Sequence, residues 1–148
     1  MSSSIQTREM LVGALLRVPA KAIHRRIING LNAASFEELH VPHMAVLRFP
    51  GQDGVRSGVL AERAGMSKQA MNQLLRSLEA LSYVIRSDAP NDGRARIVRL
   101  TKRGRAAYAK IHETLRDIER EWSDELGPKH FVPLKDLLLR VWQSPLIR

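Results

Sequence analysis

The sequence predicts a mainly α-helical chain that carries one small β-hairpin. Three observations make that prediction. Apolar residues recur at three- and four-residue steps over most of the chain. Two such stretches are joined by only Gly65, Met66 and Ser67, which leaves room for a tight turn between helices and little else. Two runs with β-strand character, "YVIRS" and "ARIVRLT", flank the turn-forming "DAPNDGR".

Residues 8 to 31 read as the first helix, with Leu11, Leu15, Val18, Ala22 and Ile23 able to share a face. Pro19 sits inside that pattern and removes a backbone hydrogen bond, so a kink or a break is expected there. "NAASFEELH" is a connector with some helical character. In "VPHMAVLRF", Pro42 suits a first helical turn, and Met44, Val46 and Leu47 are expected to be buried. Pro50 to Gly54 is a turn.

"SGVLAERAG" reads as a short helix capped by Ser57, with Leu60, Ala61 and Ala64 facing inward and Gly65 as the left-handed C-cap. Ser67 caps the next helix, along which Met71, Leu74, Leu75, Leu78 and Leu81 form the apolar stripe. After the hairpin, Thr101 is the expected N-cap. Tyr108, Ile111, Leu115, Ile118 and Trp122 then make a heptad stripe on an otherwise charged helix. "LGP" at Leu126 to Pro128 ends it, and "FVPLKDLLLRVW" is a last amphipathic helix.

The 148 residues suit one domain with its own core. There are no cysteines, which excludes disulfides, thiolate catalysis and cysteine zinc sites, and fits the cytoplasm. The N-terminus lacks the basic and apolar pattern of a signal peptide, and no apolar run reaches membrane-spanning length. The formal net charge is +9. Residues 56 to 105 hold eleven Lys or Arg against four acids, so about a third of the chain carries most of the excess. A basic segment of that density suits a polyanion.

Helix, short turn, helix and basic hairpin make a winged helix-turn-helix. Its second helix fits the major groove of DNA, and polar side chains near its N-terminus reach base edges. Ser67, Lys68, Gln69, Asn72, Gln73 and Arg76 form the face opposite the leucines, with no acid until Glu79. Gln69, Asn72, Gln73 and Lys68 are candidate base readers; Ser67 and Arg76 are candidate phosphate contacts. In the wing, Arg94 is placed to enter a minor groove, and Arg96 and Arg63 are weaker phosphate candidates.

The stretch from Leu60 to Gly104 resembles the DNA-binding core of the MarR family of bacterial transcription regulators. The matching features are Leu60-Ala61, Ser67, Leu78-Glu79, the "DGR" of Asp92 to Arg94, and Leu100-Thr101 with Gly104. Ser82 stands where the family usually has Gly, and Pro19 is unusual in the family's first helix. The resemblance implies one MarR-like domain over residues 1–148. Residues 8–35 and 102–146 would form a helical dimerisation region, and residues 36–101 the winged helix-turn-helix lobe. It implies a homodimer on a near-palindromic double-stranded operator, acting as a regulator, with repression the expected role. It also admits a small aromatic or anionic effector, which Arg17, Arg48 or His43 could meet.

The other signals carry less. His40 and His43 lie near Glu37 and Glu38, but their spacing matches no strong zinc pattern, and no metal or cofactor is expected. No GxSxG or phosphate loop occurs, so no enzyme is expected. The competing readings are a winged helix for protein contacts and a non-specific architectural DNA binder. Gln69, Asn72 and Gln73 favour sequence-specific DNA, because a purely acidic partner is better met by more Lys and Arg.

Overall fold

The computed structural model describes residues 10–48, 54–89 and 92–147, with backbone alone at Ala89 and residues 92–95. Its helices are α1 (Val12–Ala33), α2 (Met44–Leu47, entered through a 3₁₀ turn at Val41–His43), α3 (Ser57–Ala64), α4 (Lys68–Ala80), α5 (Lys102–Leu126) and α6 (Pro128–Gln143). Three antiparallel strands, β1 (Val55–Arg56), β2 (Val84–Ala89) and β3 (Asp92–Leu100), form a sheet in the order β1-β3-β2. The chain divides into two compact units, Met1–His112 and Glu113–Arg148.

The first unit has a continuous core. Ile27 and Leu31 of α1, Met44, Val46 and Leu47 of α2, and Leu60 and Ala61 of α3 are all buried. So are Met71, Leu75 and Leu78 of α4 and Val84, Val98 and Leu100 of the sheet. The inward face of α1 is therefore its C-terminal half. Leu11 just before the helix and Leu15 and Val18 within it are exposed, and Ala22 and Ile23 are half-buried.

Several expectations are corrected. Of the kink or break expected at Pro19, the break does not occur: helix α1 runs through it, although the proline removes one amide donor. Ser57 is the first residue of α3 and not its cap, which is the extended Arg56 with no side-chain bond. Arg56 is held extended because it pairs with Ile97 as part of β1, a strand too short to show in the sequence. The hairpin strands are longer than expected, running to Ala89 and starting at Asp92. Pro50 to Asp53 and the hairpin's Pro90 and Asn91 lie outside the described residues.

The caps at Ser67 and Thr101 form as the sequence indicates. Ala70 N–H donates to Ser67 Oγ at 3.1 Å, and Gly104 N–H donates to Thr101 Oγ1 at 3.0 Å. The Thr101 hydroxyl also donates to the Ser82 carbonyl at 2.6 Å, so it joins the end of α4 to the start of α5.

The backbone at Ser82 has the conformation that glycine adopts most easily. It ends α4 at φ 65°, in the left-handed region. Tyr83 N–H returns to the Leu78 carbonyl at 2.8 Å and Ser82 N–H to the Glu79 carbonyl at 2.9 Å. That is the Schellman closure, and a Cβ makes its left-handed residue costly. Ser82→Gly is expected to stabilise the fold by about 0.5–1 kcal/mol, the relief exceeding the extra chain entropy of glycine. A lower midpoint in urea for this variant would show that the serine side chain contributes more than its conformation costs.

His43 is buried beside α4. Its Nδ1 accepts the His40 N–H at 2.9 Å, so the proton of the neutral ring sits on Nε2, which donates to Ser77 Oγ at 3.3 Å. Burial first, and then repulsion from His40, lowers its pKa below the ordinary 6.5. His24 is lowered in the same way, by burial and by Arg48. A histidine whose folded pKa is depressed stays neutral while the unfolded chain takes up a proton. Stability is therefore full above about pH 6.5 and falls as pH drops through that value toward the lower folded pKa. Urea unfolding at a series of pH values should show this loss, and His43→Gln should make it shallower.

Candidate nucleic-acid interface

Helix α4 presents its N-terminal end and one polar face outward. Its first turn contains no acid, so neither its unpaired N–H groups nor its positive dipole is offset by a carboxylate. Lys68, Gln69, Gln73 and Arg76 are exposed, while Asn72 is half-buried. The stripe Met71, Leu75 and Leu78 fixes this orientation, because it is fully inside the core. Ser67, exposed at the cap, keeps its hydroxyl proton available after accepting the Ala70 bond.

Beside this face lies an open groove of about 850 Å³. Arg56 from β1, Lys68, Asn72 and Arg76 from α4, Arg86 from β2 and Arg96 from β3 all line it. Glu62 is the one acid on its wall. Five cations on three strands and a helix thus converge on one concave surface. Such a surface suits the phosphate backbone of a polyanion.

The structure brings together most of the candidate residues. Lys68, Asn72, Arg76 and Arg96 line the groove, and Ser67, Gln69 and Gln73 belong to the same helix or its cap. Arg94 lies on β3, with its side chain outside the described set. Arg63 is placed elsewhere: it lines a second cavity of about 360 Å³ with His24, Val41, Met44, Arg48 and Met66. Of the three residues considered for an anion, Arg48 is in that cavity, where its Nη1 donates to His24 Nε2 at 3.2 Å. Arg17 and His43 are not on its lining.

Sequence reasoning did not single out Arg56 or Arg86. Arg86 is nearly buried and bridges α4 and the wing: its Nη2 donates to Glu79 Oε2 at 2.8 Å and its Nη1 to Asn72 Oδ1 at 3.3 Å. The Arg86 hydrogen bond is the leading cause that holds the Glu79 carboxyl below its ordinary pKa. Behind the wing, Tyr83 donates to Glu38 Oε2 at 3.0 Å, and Arg103 bonds the same carboxylate while lying over the Tyr83 ring. Burial, and then the Glu38 bond, pushes the Tyr83 hydroxyl up to about 12. Glu38, close in sequence to the histidines, is thereby engaged away from them. Among the described residues no cluster of His, Asp and Glu could hold a metal ion.

Comparison with known proteins agrees with this layout. A family model described as MarR family matches residues 39–95. The HTH-type transcriptional repressor Rv2887 of Mycobacterium tuberculosis is 35% identical over 106 residues, covering 71% of this chain and 69% of that protein. The chain belongs to the MarR family of transcription regulators. The structure of the MarR family protein Rv2887 in complex with salicylic acid has a TM-score of 0.64 at 27% identity, over 90% of this chain and 97% of that one. The transcriptional repressor CouR bound to a 23-mer DNA duplex has a TM-score of 0.72 at 20% identity, over 90% of this chain and 93% of that one. At that identity the second likeness speaks for the MarR fold alone. No described helix is long and apolar enough to cross a membrane.

Proposed function

We propose that the chain is a cytoplasmic repressor that binds a near-palindromic double-stranded DNA operator as a homodimer, each protomer placing α4 in one major groove. The observation that carries this reading is the acid-free face of Lys68, Gln69, Asn72, Gln73 and Arg76 set against a groove lined by five cations. Lys68, Gln69, Asn72 and Gln73 read base edges. Ser67, Arg76 and Arg96 hold phosphates, with Arg56 added by the groove, and Arg94 serves the minor groove. The DNA-bound CouR structure supports the same use of the fold.

Residues 8–35 and 102–146 serve dimerisation in this reading. Each compact unit carries exposed apolar residues of the kind a subunit interface covers: Leu11, Val12 and Val18 in the first, and Val132, Leu137, Val141 and Trp142 in the second. Trp142→Glu is expected to shift the protein toward monomers in sedimentation equilibrium, and an unchanged mass would move the interface off α6. The 360 Å³ cavity has the size of a small-molecule site. Val41, Met44 and Met66 would face an aromatic ring and Arg48 and Arg63 a carboxylate, which suits an aromatic acid as effector. The salicylic acid held by Rv2887 supports that class.

The test is a titration of purified protein against random genomic duplexes at two salt concentrations, with sequencing of the retained fragments. A two-fold-symmetric site with half-sites about one helical turn apart, bound less tightly as salt rises, is the expected result. Salt-sensitive retention with no enriched sequence would leave only an electrostatic surface and overturn the operator reading.

A further inference from the structure

We infer that Arg86 sets which base Asn72 reads, by turning the Asn72 amide so that it offers its NH₂ group and not its oxygen to the DNA. This inference rests on the operator-reading function proposed above. Arg86 is on β2 and does not belong to the reading helix. Its side chain is 10% exposed. Its guanidinium lies along α4 and spans two turns of it, with one arm on Glu79 and the other on Asn72. Asn72 and Glu79 are seven residues apart, so they share a helix face. The ion pair with Glu79 anchors the guanidinium, and the anchored guanidinium then orients Asn72.

The chemistry fixes the amide's direction. A guanidinium has only donors, so the Asn72 atom facing it has to be the carbonyl oxygen. The two hydrogens of Nδ2 are left for the groove that Asn72 lines. A free asparagine grips adenine with both ends of its amide, the oxygen accepting from N6 and the nitrogen donating to N7. Here the oxygen lies beside a cation. An adenine amino group approaching that oxygen would bring its positive hydrogen against the guanidinium. The NH₂ group meets no such obstacle and matches an acceptor: O6 and N7 of guanine side by side, or O4 of thymine, whereas adenine offers N7 alone with its own N6 donor beside it. Asn72 is thus a donor-only reader, and Arg86 is the positioning residue that makes it one.

The experiment is binding-site selection from duplexes randomised over about two helical turns, run with wild type and three variants. Asn72→Ala marks the operator position that Asn72 reads, as the place where preference is lost. Wild type should prefer guanine or thymine there. Arg86→Met removes the clamp and should raise adenine relative to guanine at that position by about tenfold, leaving other positions unchanged. Asn72→Asp keeps the acceptor that Arg86 holds, strengthens the pair, and turns the outer group into an acceptor. It should switch the preference to cytosine, whose N4 donates. The Asp variant keeps the clamp, so it answers the question even where Arg86→Met folds poorly. Adenine as the wild-type preference at that position would overturn the inference. So would a Met variant with an unaltered preference, an Asp variant without the switch, or an Asn72→Ala variant that changes no position. If wild type selects no symmetric site at all, the operator reading itself fails, which is a different result from any of these.

Discussion

Gly104→Ala should destabilise the fold by about 3 kcal/mol, well beyond the usual gain from replacing a helical glycine. A Cβ at residue 104 would lie 2.0 Å from the Tyr83 carbonyl oxygen and 3.3 Å from Leu100 Cβ. The obstacle is backbone, and it cannot move freely. Tyr83 N–H closes the end of α4, its carbonyl accepts the Thr101 N–H at 3.1 Å, and its ring is fully buried. Relief of the clash has to push α5 away from the α4–β2 junction and strain the Thr101 bridge to Ser82. Thermal unfolding should show a melting temperature lower by roughly 6–12 °C. A drop of only a degree or two would mean that the two elements can part more cheaply than their bonds indicate. Because the glycine sits behind the wing and outside the DNA face, the folded fraction should keep its base preference.

That residue shows which parts of the structure the sequence could reveal. Local chemistry was legible. A hydroxyl at a helix start satisfies an amide three residues on, so Ser67 and Thr101 could be read as caps without knowing the fold. The leucine spacing of α4 likewise placed its polar face, because a helix has one period and one buried side. Features that depend on distant partners were not legible. Gly104 looks like an ordinary weak point in a helix until the Tyr83 carbonyl is set against it. Strand β1 has two residues and exists only because β3 is there to pair with it.

The heptad on α5 shows a subtler limit. The heptad's period holds, but the buried positions are Gly104, Ala107, Ile111, Thr114 and Ile118, while Tyr108, Leu115 and Trp122 are only half-covered. Spacing identifies a stripe and leaves open which edge of it turns inward. Arg86 is the clearest case at the candidate site. In sequence it is one arginine of a basic segment. Its role follows from the packing of β2 along α4, which brings it to Asn72 and Glu79 at once.

The second large effect expected is at the DNA face, and it separates two kinds of contact. Arg76 is exposed on α4 and lines the basic groove. In the phosphate-contact role proposed for it, it would release a counterion on binding, and a dimer would use it twice. Arg76→Ala should therefore weaken binding about a hundredfold on a two-fold site, about tenfold for each half. It should also reduce the slope of log affinity against log salt by about two. The loss should be equal on every sequence, since phosphates carry no sequence. Gln69, exposed on the first turn of the same helix, should behave in the opposite way. Gln69→Ala leaves the charge untouched, so the salt slope stays the same, while preference at one position of each half-site relaxes by about 1–3 kcal/mol. Salt titrations of both variants on the selected operator and on a scrambled duplex give all four numbers. If Gln69→Ala lost affinity equally on both duplexes, it would no longer stand among the base readers. If Arg76→Ala lost affinity on the operator alone, arginine would be reading a base, with guanine its natural partner.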